Sequence, residues 1–266
     1  MLVTLLTDFG TTDYFVGALK GALLDANPDA RVIDITHEIP PHDTEAAAFT
    51  LLAAFETFPA GTVHVAVVDP GVGSARRPVA VVSHRHTFVG PDNGIFGYVF
   101  ERIEPFKVFH LTNKSFFRRE VSATFHGRDI FAPVAGALSR GVSAEKLGPE
   151  IEDFTRLPFA VPERRPDGTL VGSILHIDRF GNCITNISRR DISLETFDSG
   201  FSVRVGEREV TSFRRFFADE TCAGVEPFAI WGSAGLLELA VFRDSAARVL
   251  SVRRGQRIEL KSPAGL

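Results

Sequence analysis

Cysteine is scarce in this chain of 266 residues, which contains only Cys183 and Cys222. Two cysteines form neither a disulfide framework nor a zinc motif, and they favour a reducing compartment. No apolar run approaches the length of a transmembrane helix, and residues 1–6 are too short a run for a signal peptide. We therefore expect a cytoplasmic protein with no membrane partner.

An excess of positive charge is also missing. Lys and Arg number 29 against 33 Asp and Glu, for a net charge of -4. This balance lacks the basic footprint of a nucleic-acid-binding protein. Tyr and Trp are rare, with 2 and 1 copies, whereas Phe reaches 24. Most of the aromatic area therefore carries no polar group and belongs in a core or an apolar pocket.

The order of apolar segments predicts two domains. Strand-like runs at residues 2–6, 31–35 and 62–68 alternate with helical segments, which predicts an α/β domain with a largely parallel central sheet over residues 1–155. Three prolines between residues 152 and 168 indicate a linker. Residues 168–266 contain short strand-like runs without long intervening helices, which predicts a smaller β domain.

Several residues of the first predicted domain have side chains suited to chemistry. Asp8 and Asp69 follow predicted strands, and the carboxyl ends of parallel strands border the usual ligand crevice. An Asp there can hold both hydroxyls of a ribose, although Asp8 fits a turn or a helix cap equally well. Arg76 can stabilise an anion but cannot act as a base. His126 precedes a predicted helix and can exchange protons near neutral pH. Taken singly, Arg76 fits a surface residue and His126 a structural one.

In the second domain, residues 178–182 form a predicted loop. Phe180 can stack on a purine, and Asn182 offers the donor and acceptor that an adenine edge requires. A turn built by Gly181 and Asn182 explains the same residues. Residues 231–235 form a loop of mostly small residues in which backbone can approach a ligand.

These motifs resemble a known family, the S-adenosylmethionine hydroxide adenosyltransferases, which is related to the S-adenosylmethionine-dependent fluorinase and chlorinase. The resemblance rests on residues 7–11, 68–73 with Arg76, 90–94, 125–129, 178–182 and 235–241. It implies an N-terminal α/β domain and a smaller C-terminal β-barrel-like domain. It also implies a homotrimer with active sites between neighbouring subunits.

The resemblance further implies hydrolysis of S-adenosylmethionine to adenosine and methionine, without metal or cofactor. The family's catalytic triad matches Asp69, Arg76 and His126. The substrate contacts match Asp8 at the ribose hydroxyls, Asn182 at adenine with Phe180 stacked beside it, Asp178 and Ser233 near methionine, and Glu238 and Val241 along the rest of the substrate. A water held by the triad would attack ribose C5′, either by losing a proton to His126 or as a delivered hydroxide.

The chain departs from the family pattern at two places. Residues 242–244 are Phe-Arg-Asp where the family usually has Asn and small residues, and His42 stands where the fluorinase has a tryptophan. Halide transfer is the nearest alternative, because Gly127 replaces the halide-binding Ser of the fluorinase but is also the chlorinase residue. The Asp69 carboxylate favours hydrolysis, since it would repel a halide.

Two further alternatives remain open. A metal-dependent hydrolase could draw on several side chains that are ligands by type, although no spacing among them forms a metal motif. They are His37, His42, Asp43, Asp69, His84, His86 and His126. A nucleoside-binding module without catalysis would keep Asp8 and Asn182 but would not need the triad.

Overall fold

The structure is a computed structural model that describes residues 1–192, 200–218 and 226–261. The chain divides into two units, Met1–Pro158 and Phe159–Leu266. Each unit has its own apolar core, formed by buried side chains that share no member with the core of the other unit.

The N-terminal unit is a seven-stranded sheet with helices on both faces. Its strands are β1 (Leu2–Thr7), β2 (Arg31–Thr36), β3 (Thr62–Val67), β4 (Pro78–Ser83), β5 (His86–Pro91), β6 (Phe106–His110) and β7 (Glu150–Ile151), and its helices are α1 (Phe15–Ala26), α2 (Thr44–Ala54), α3 (Gly97–Ile103) and α4 (Ala132–Ser139). The strand order is β2-β1-β3-β5-β4-β6-β7.

The sheet is parallel from β2 to β5 and antiparallel beyond. The predicted α/β class is confirmed. The antiparallel half arises because only residues 84 and 85 separate β4 from β5, and so short a connection closes a hairpin but not a parallel crossover. The sequence patterns did not predict β6 and β7.

Side chains that alternate along β1 pack against helices on opposite faces of the sheet. Leu5 packs with Leu19 of α1 in one cluster, whereas Leu6 packs with Leu51 of α2 in another. Successive strand side chains point to opposite faces, so a strand buried on both faces reads as a continuous apolar run. Because β1 and β3 are parallel neighbours, the residues after their carboxyl ends share one edge of the sheet.

The C-terminal unit is a nearly closed, barrel-like sheet, as predicted. Its described strands are β8 (Glu163–Arg164), β9 (Leu170–Ile177), β10 (Cys183–Ser188), β11 (Ser202–Val205), β12 (Arg208–Val210), β13 (Ser212–Phe213), β14 (Phe228–Trp231), β15 (Leu236–Ala240) and β16 (Arg257–Lys261), with helix α5 (Ala246–Val249). The path runs β12-β11-β16-β9-β10-β15-β14-β13, and β8 pairs with β9. The predicted linker at residues 152–168 therefore contains a strand.

Among the described residues, no helix combines the length and the apolar character needed to cross a bilayer. Cys183 is a buried free thiol. Cys222 lies outside the described residues.

Candidate active site

The structure brings Asp69, Arg76 and His126 into direct contact. The Arg76 Nε donates to Asp69 Oδ1 at 2.9 Å, and the Nη2 of the same guanidinium donates to Asp69 Oδ2. Nη2 also lies 2.7 Å from His126 Nδ1. One guanidinium therefore bridges a carboxylate and an imidazole that lie 57 positions apart in the sequence.

A glycine-rich loop makes this contact possible. Asp69 follows β3, and residues 69–76 fold back through backbone bonds from Val72 N to Asp69 O and from Ser74 N to Gly71 O. Gly73 has a φ of 78° and lies against the carbonyl of Ala123, where a Cβ would overlap the backbone. Only glycine permits this approach, which packs the loop against the segment that precedes His126.

Burial and a neighbouring positive charge lower the pKa of His126 in this cluster. The Arg76 and Asp69 side chains are 9% and 6% exposed. Burial, and then the Arg76 charge, lower the pKa of His126, against a smaller opposing effect of Asp69 and Asp129. A guanidinium only donates hydrogen bonds, so His126 Nδ1 is the acceptor. The proton of the neutral ring therefore lies on Nε2.

Asp8 lines the same cleft as Asp69 and His126 of the triad. This cleft of about 290 Å³ contains Asp8, Asp69, His126 and the aromatic wall of Phe9, Phe15 and Phe125. The backbone N–H of His42 donates to Asp8 Oδ2 at 2.9 Å. Two larger surface grooves in this unit include none of the predicted site residues. The cleft combines acidic groups with an apolar wall, as an adenosyl ligand requires.

In the C-terminal unit, Asp178 organises the predicted adenine loop. One Asp178 oxygen accepts from the backbone N–H groups of Phe180 and Asn182, each at 2.9 Å, and the other accepts from the Asn182 amide Nδ2 at 2.9 Å. Gly181 has a φ of 83° and packs against Ser245. The turn interpretation of this loop is thus correct, and the turn leaves the Phe180 ring 77% exposed.

A second pocket lies beside this loop. Its volume is about 490 Å³, and its lining includes Phe180, Asn182 and Val241 from the predicted set. Phe217 and Arg243 also line it. Arg243 has a φ of 57°, because residues 241–244 close a tight turn with a bridge between Val241 and Asp244. Two residues of the Phe-Arg-Asp departure, Arg243 and Asp244, thus line this pocket.

Glu238 and Ser233 lie on the hairpin formed by β14 and β15. Glu238 is 9% exposed, and burial, with a smaller contribution from Asp178, raises its pKa to about 7. Gly232 N donates to Leu236 O at 3.0 Å and closes the hairpin, and Ser233 at the turn is exposed.

Both units of the chain resemble known proteins. Residues 3–148 match the SAM hydroxide adenosyltransferase N-terminal domain and residues 172–259 match the C-terminal domain, where SAM is S-adenosyl-L-methionine. The chain belongs to this family. A relative from Thermus thermophilus named (R)-S-adenosyl-L-methionine hydrolase is 42% identical, over 97% of this chain and 98% of its own.

A Nocardia brasiliensis fluorinase is more distant, at 27% identity over 98% of this chain and 96% of its own. A crystal structure of a conserved protein from Thermotoga maritima superposes with a TM-score of 0.89 at 36% identity, covering 98% of this chain and 99% of that one. The SAM hydroxide adenosyltransferase fold therefore extends over both units of the chain.

In this member of the family, a side-chain network that is buried at Thr7 and His37 and exposed at Asp34 supports the end of β1. The Thr7 hydroxyl lies 2.8 Å from His37 Nδ1, His37 Nε2 lies 3.2 Å from Asp34 Oδ1, and Asp34 pairs with Lys20 at 2.6 Å. Gly10 N also donates to the carbonyl of His37 at 2.8 Å. His37, a possible metal ligand by residue type, thus supports the loop that carries Asp8.

Among the described residues, no group of three or more His, Cys, Asp or Glu side chains is arranged to hold an ion. His86 pairs with His64 at 3.2 Å rather than with any other candidate ligand.

Proposed function

We propose that this protein hydrolyses S-adenosyl-L-methionine to adenosine and L-methionine. The single observation that carries the proposal is the Asp69–Arg76–His126 contact in a cleft that Asp8 also lines. A relative that bears the name of this hydrolase covers nearly the whole chain.

The chemistry needs a positioned oxygen nucleophile rather than a strong acid. The sulfonium leaves as neutral methionine, so its departure requires no proton. Water attacks ribose C5′, the C5′–S bond breaks, and the bonding electron pair goes to sulfur. Arg76 stabilises negative charge on the attacking oxygen, as an oxyanion donor does.

The hydrogen-bond directions support one assignment of the proton. The His126 Nδ1 lone pair faces Arg76, so its Nε2–H donates to the attacking oxygen instead of taking its proton. Each oxygen of Asp69 accepts one bond from Arg76 and keeps a second lone pair. Asp69 is therefore the proton acceptor within the triad, and it passes the proton on to solvent.

The Asp69 carboxylate favours water over a halide, because it lies in the cleft and repels an anion. Gly127 does not distinguish the two reactions, since the chlorinase has the same residue there. The atoms nearest to a side chain at Gly127 would be carbons of Phe9, Leu19 and Phe125, at 3.3 to 3.4 Å.

The test of this proposal is the fate of oxygen. With heavy-oxygen water as solvent, we expect the label in the 5′-hydroxyl of adenosine and unlabelled methionine at early times, because oxygen enters at C5′. Mass spectrometry of the products measures this. Since we propose a reaction without metal or cofactor, exhaustive chelation should leave the rate unchanged. Free adenine or methylthioadenosine as the main product, or a rate restored by zinc, would contradict the proposal.

The rate should also depend on pH through His126. Burial and Arg76 lower the pKa of His126 below its usual 6.5, so the ring is neutral at pH 7. Protonation of Nδ1 removes the acceptor that holds Arg76. We therefore expect kcat/KM to be constant near neutrality and to fall as the pH drops through this lowered pKa. A fall in kcat/KM with acid that is centred above pH 6.5, and that shifts when His126 is replaced, would argue against a lowered His126 pKa.

Assembly and location belong to the same proposal. We propose a cytoplasmic homotrimer with active sites at the interfaces of neighbouring subunits. Asp69 lies in the N-terminal unit and Asn182 in the C-terminal unit. If one site takes Asp69 from one chain and Asn182 from its neighbour, co-expression of Asp69→Ala and Asn182→Ala chains should restore some activity. In a closed ring with random mixing, about a quarter of the sites should then contain both native residues. Sites formed within single chains would show no recovery.

A further inference from the structure

Asp129 is a fully buried carboxyl group in the π-helical turn Gly127–Phe131, three positions after His126. Its Oδ1 accepts from Arg128 Nε at 2.7 Å, and its Oδ2 accepts from Arg128 Nη2 and from the backbone N–H of Ser122, each at 2.9 Å. Burial raises the pKa of Asp129, but the bonds from Arg128 and Ser122 outweigh burial and hold this pKa below its usual value. The group is therefore an ionised carboxylate with charge-assisted hydrogen bonds.

Asp129 fixes the loop that leads to the triad imidazole. This irregular loop covers residues 117–125 and is here called the histidine loop. The Asp129 carbonyl accepts from the N–H of Arg118 at 2.9 Å, and the Asp129 N–H donates to the carbonyl of Phe125 at 3.1 Å. The bond from Ser122 lies between these two. Because an irregular loop lacks the hydrogen-bond ladder of a helix or a sheet, these contacts at its start, middle and end restrict its conformation.

The histidine loop forms part of the cleft wall. Thr124 and Phe125 line the cleft beside His126. The guanidinium of Arg128, which Asp129 holds, lies 5.0 Å from the centre of the Phe125 ring. Asp129 itself has no exposed surface that a ligand could touch, so any effect on the cleft passes through these neighbours.

The same loop packs against the segment that carries Arg76. The carbonyl of Ala123 lies where a Cβ of Gly73 would fall, so the two segments meet closely. His126 Nδ1 and Arg76 Nη2 lie 2.7 Å apart. A shift of the histidine loop by about 1 Å would end this hydrogen bond.

We propose that Asp129 is a positioning residue for the hydrolysis, because it fixes the histidine loop where His126 Nδ1 meets Arg76. The inference rests on the proposed function and adds a residue that lies away from the reacting atoms. Loss of Asp129 should lower kcat more than the affinity for adenosine, since Asp8 lies on a separate loop after β1.

The first test is Asp129→Asn, which keeps the size of the side chain. Its NH2 group replaces one oxygen and meets an N–H donor instead of accepting from it. We expect kcat to fall by about 10²-fold, which is the effect of a misplacement of about 1 Å. The Kd for adenosine should change much less. Steady-state kinetics and calorimetry measure the two quantities.

Nitrogen NMR of the His126 ring provides a readout that does not depend on activity. In the parent protein Nδ1 accepts from Arg76, so the ring should be the tautomer protonated at Nε2. With Asp129→Asn we expect a mixture of both tautomers, because the ring loses this donor. The signal that disappears in His126→Asn identifies the ring among the 8 histidines.

The titration of the same ring separates position from charge. The charged and titratable groups that act on it or share its cleft are Arg76, Asp69, Asp129, Asp8 and His42. Burial and Arg76 lower the pKa of His126, and each has a larger effect than Asp69 or Asp129, which raise it. If Asp129→Asn releases the loop, the two larger effects weaken and the pKa should rise towards 6.5. If Asp129 contributes only its charge, the pKa should fall further.

Asp92→Asn is the matched control. The Asp92 side chain is 6% exposed, and it accepts from the Arg77 guanidinium at 2.8 Å and from the backbone N–H of Thr155 at 2.7 Å. This substitution should lower the free energy of unfolding in urea, as Asp129→Asn does. It should leave kcat and the His126 tautomer unchanged.

A second variant covers the case in which Asp129→Asn does not fold. Arg128→Gln removes the guanidinium that clamps Asp129, at a side chain that is 30% exposed. It should also give a mixture of His126 tautomers and a lower kcat.

The outcomes separate the two proposals. A His126 ring that keeps the Nε2 tautomer, or whose pKa falls, in Asp129→Asn would overturn the positioning role and leave the hydrolase proposal intact. The same holds for an unchanged tautomer in Arg128→Gln. If the parent protein releases no adenosine from S-adenosylmethionine, the hydrolase proposal fails, and the NMR comparison still decides whether Asp129 positions His126.

Discussion

Alanine at Asp69, Arg76 or His126 should each lower kcat by about 10²- to 10⁴-fold, the range for loss of a transition-state donor or of a member of a catalytic group. The three side chains form one contact in which Arg76 links the other two, so removing one member releases the rest. The losses should therefore not add, and the triple variant should be little slower than the worst single one. Steady-state kinetics with S-adenosylmethionine measures this.

Arg77 offers a matched control for Arg76. It follows directly in the chain, but its guanidinium pairs with Asp92 at 2.8 Å and with Asp153 at 2.8 Å, and neither of these carboxylates lines the cleft. Arg77→Ala should keep kcat while lowering stability. The triad variants should keep their affinity for adenosine, because they act on water. Near-normal turnover in the triple variant would show that this cluster is not catalytic.

Acid should destabilise the protein steeply because His64 and His86 are buried in the neutral form. His64 Nδ1 lies 2.7 Å from the Thr4 hydroxyl, and its Nε2 lies 3.2 Å from His86 Nδ1. Burial, with a smaller effect of His86, lowers the His64 pKa from 6.5 to about 3. Between these values the unfolded chain binds a proton that the folded chain does not. The contribution is complete above pH 6.5 and is lost towards pH 3, at about 1.4 kcal/mol per pH unit.

Urea unfolding at a series of pH values from 7 to 4.5 checks this expectation. The variant Thr4→Val/His64→Leu removes the titrating group together with the hydroxyl that it would leave unpaired. Its free energy of unfolding should decline less steeply with acid by about the same 1.4 kcal/mol per pH unit. His84→Asn is the control, because His84 is exposed and should leave the slope unchanged. Equal slopes in all three proteins would show that His64 is not the group responsible.

The sequence alone determined the family and the fold class, because both depend on local patterns. The continuous apolar runs of β1 and β3 predict buried parallel strands, and they became the centre of the N-terminal sheet. Short strands have no comparably clear pattern in the sequence. β13 and β14 pair in parallel across residues distant in the sequence, and so short an apolar run is ambiguous until its partner strand is known.

The tertiary structure decided the contacts and protonation states at the site. Nothing in the sequence around His126 shows that its Nδ1 faces a guanidinium, yet this contact makes Nδ1 an acceptor and places the proton of the neutral ring on Nε2. The same is true of Glu238, whose pKa depends on burial between β10 and β14 and on the charge of Asp178. Residue type specifies what a side chain is able to do. Its charge state follows from the dielectric and the neighbouring charges, which exist only once the chain has folded.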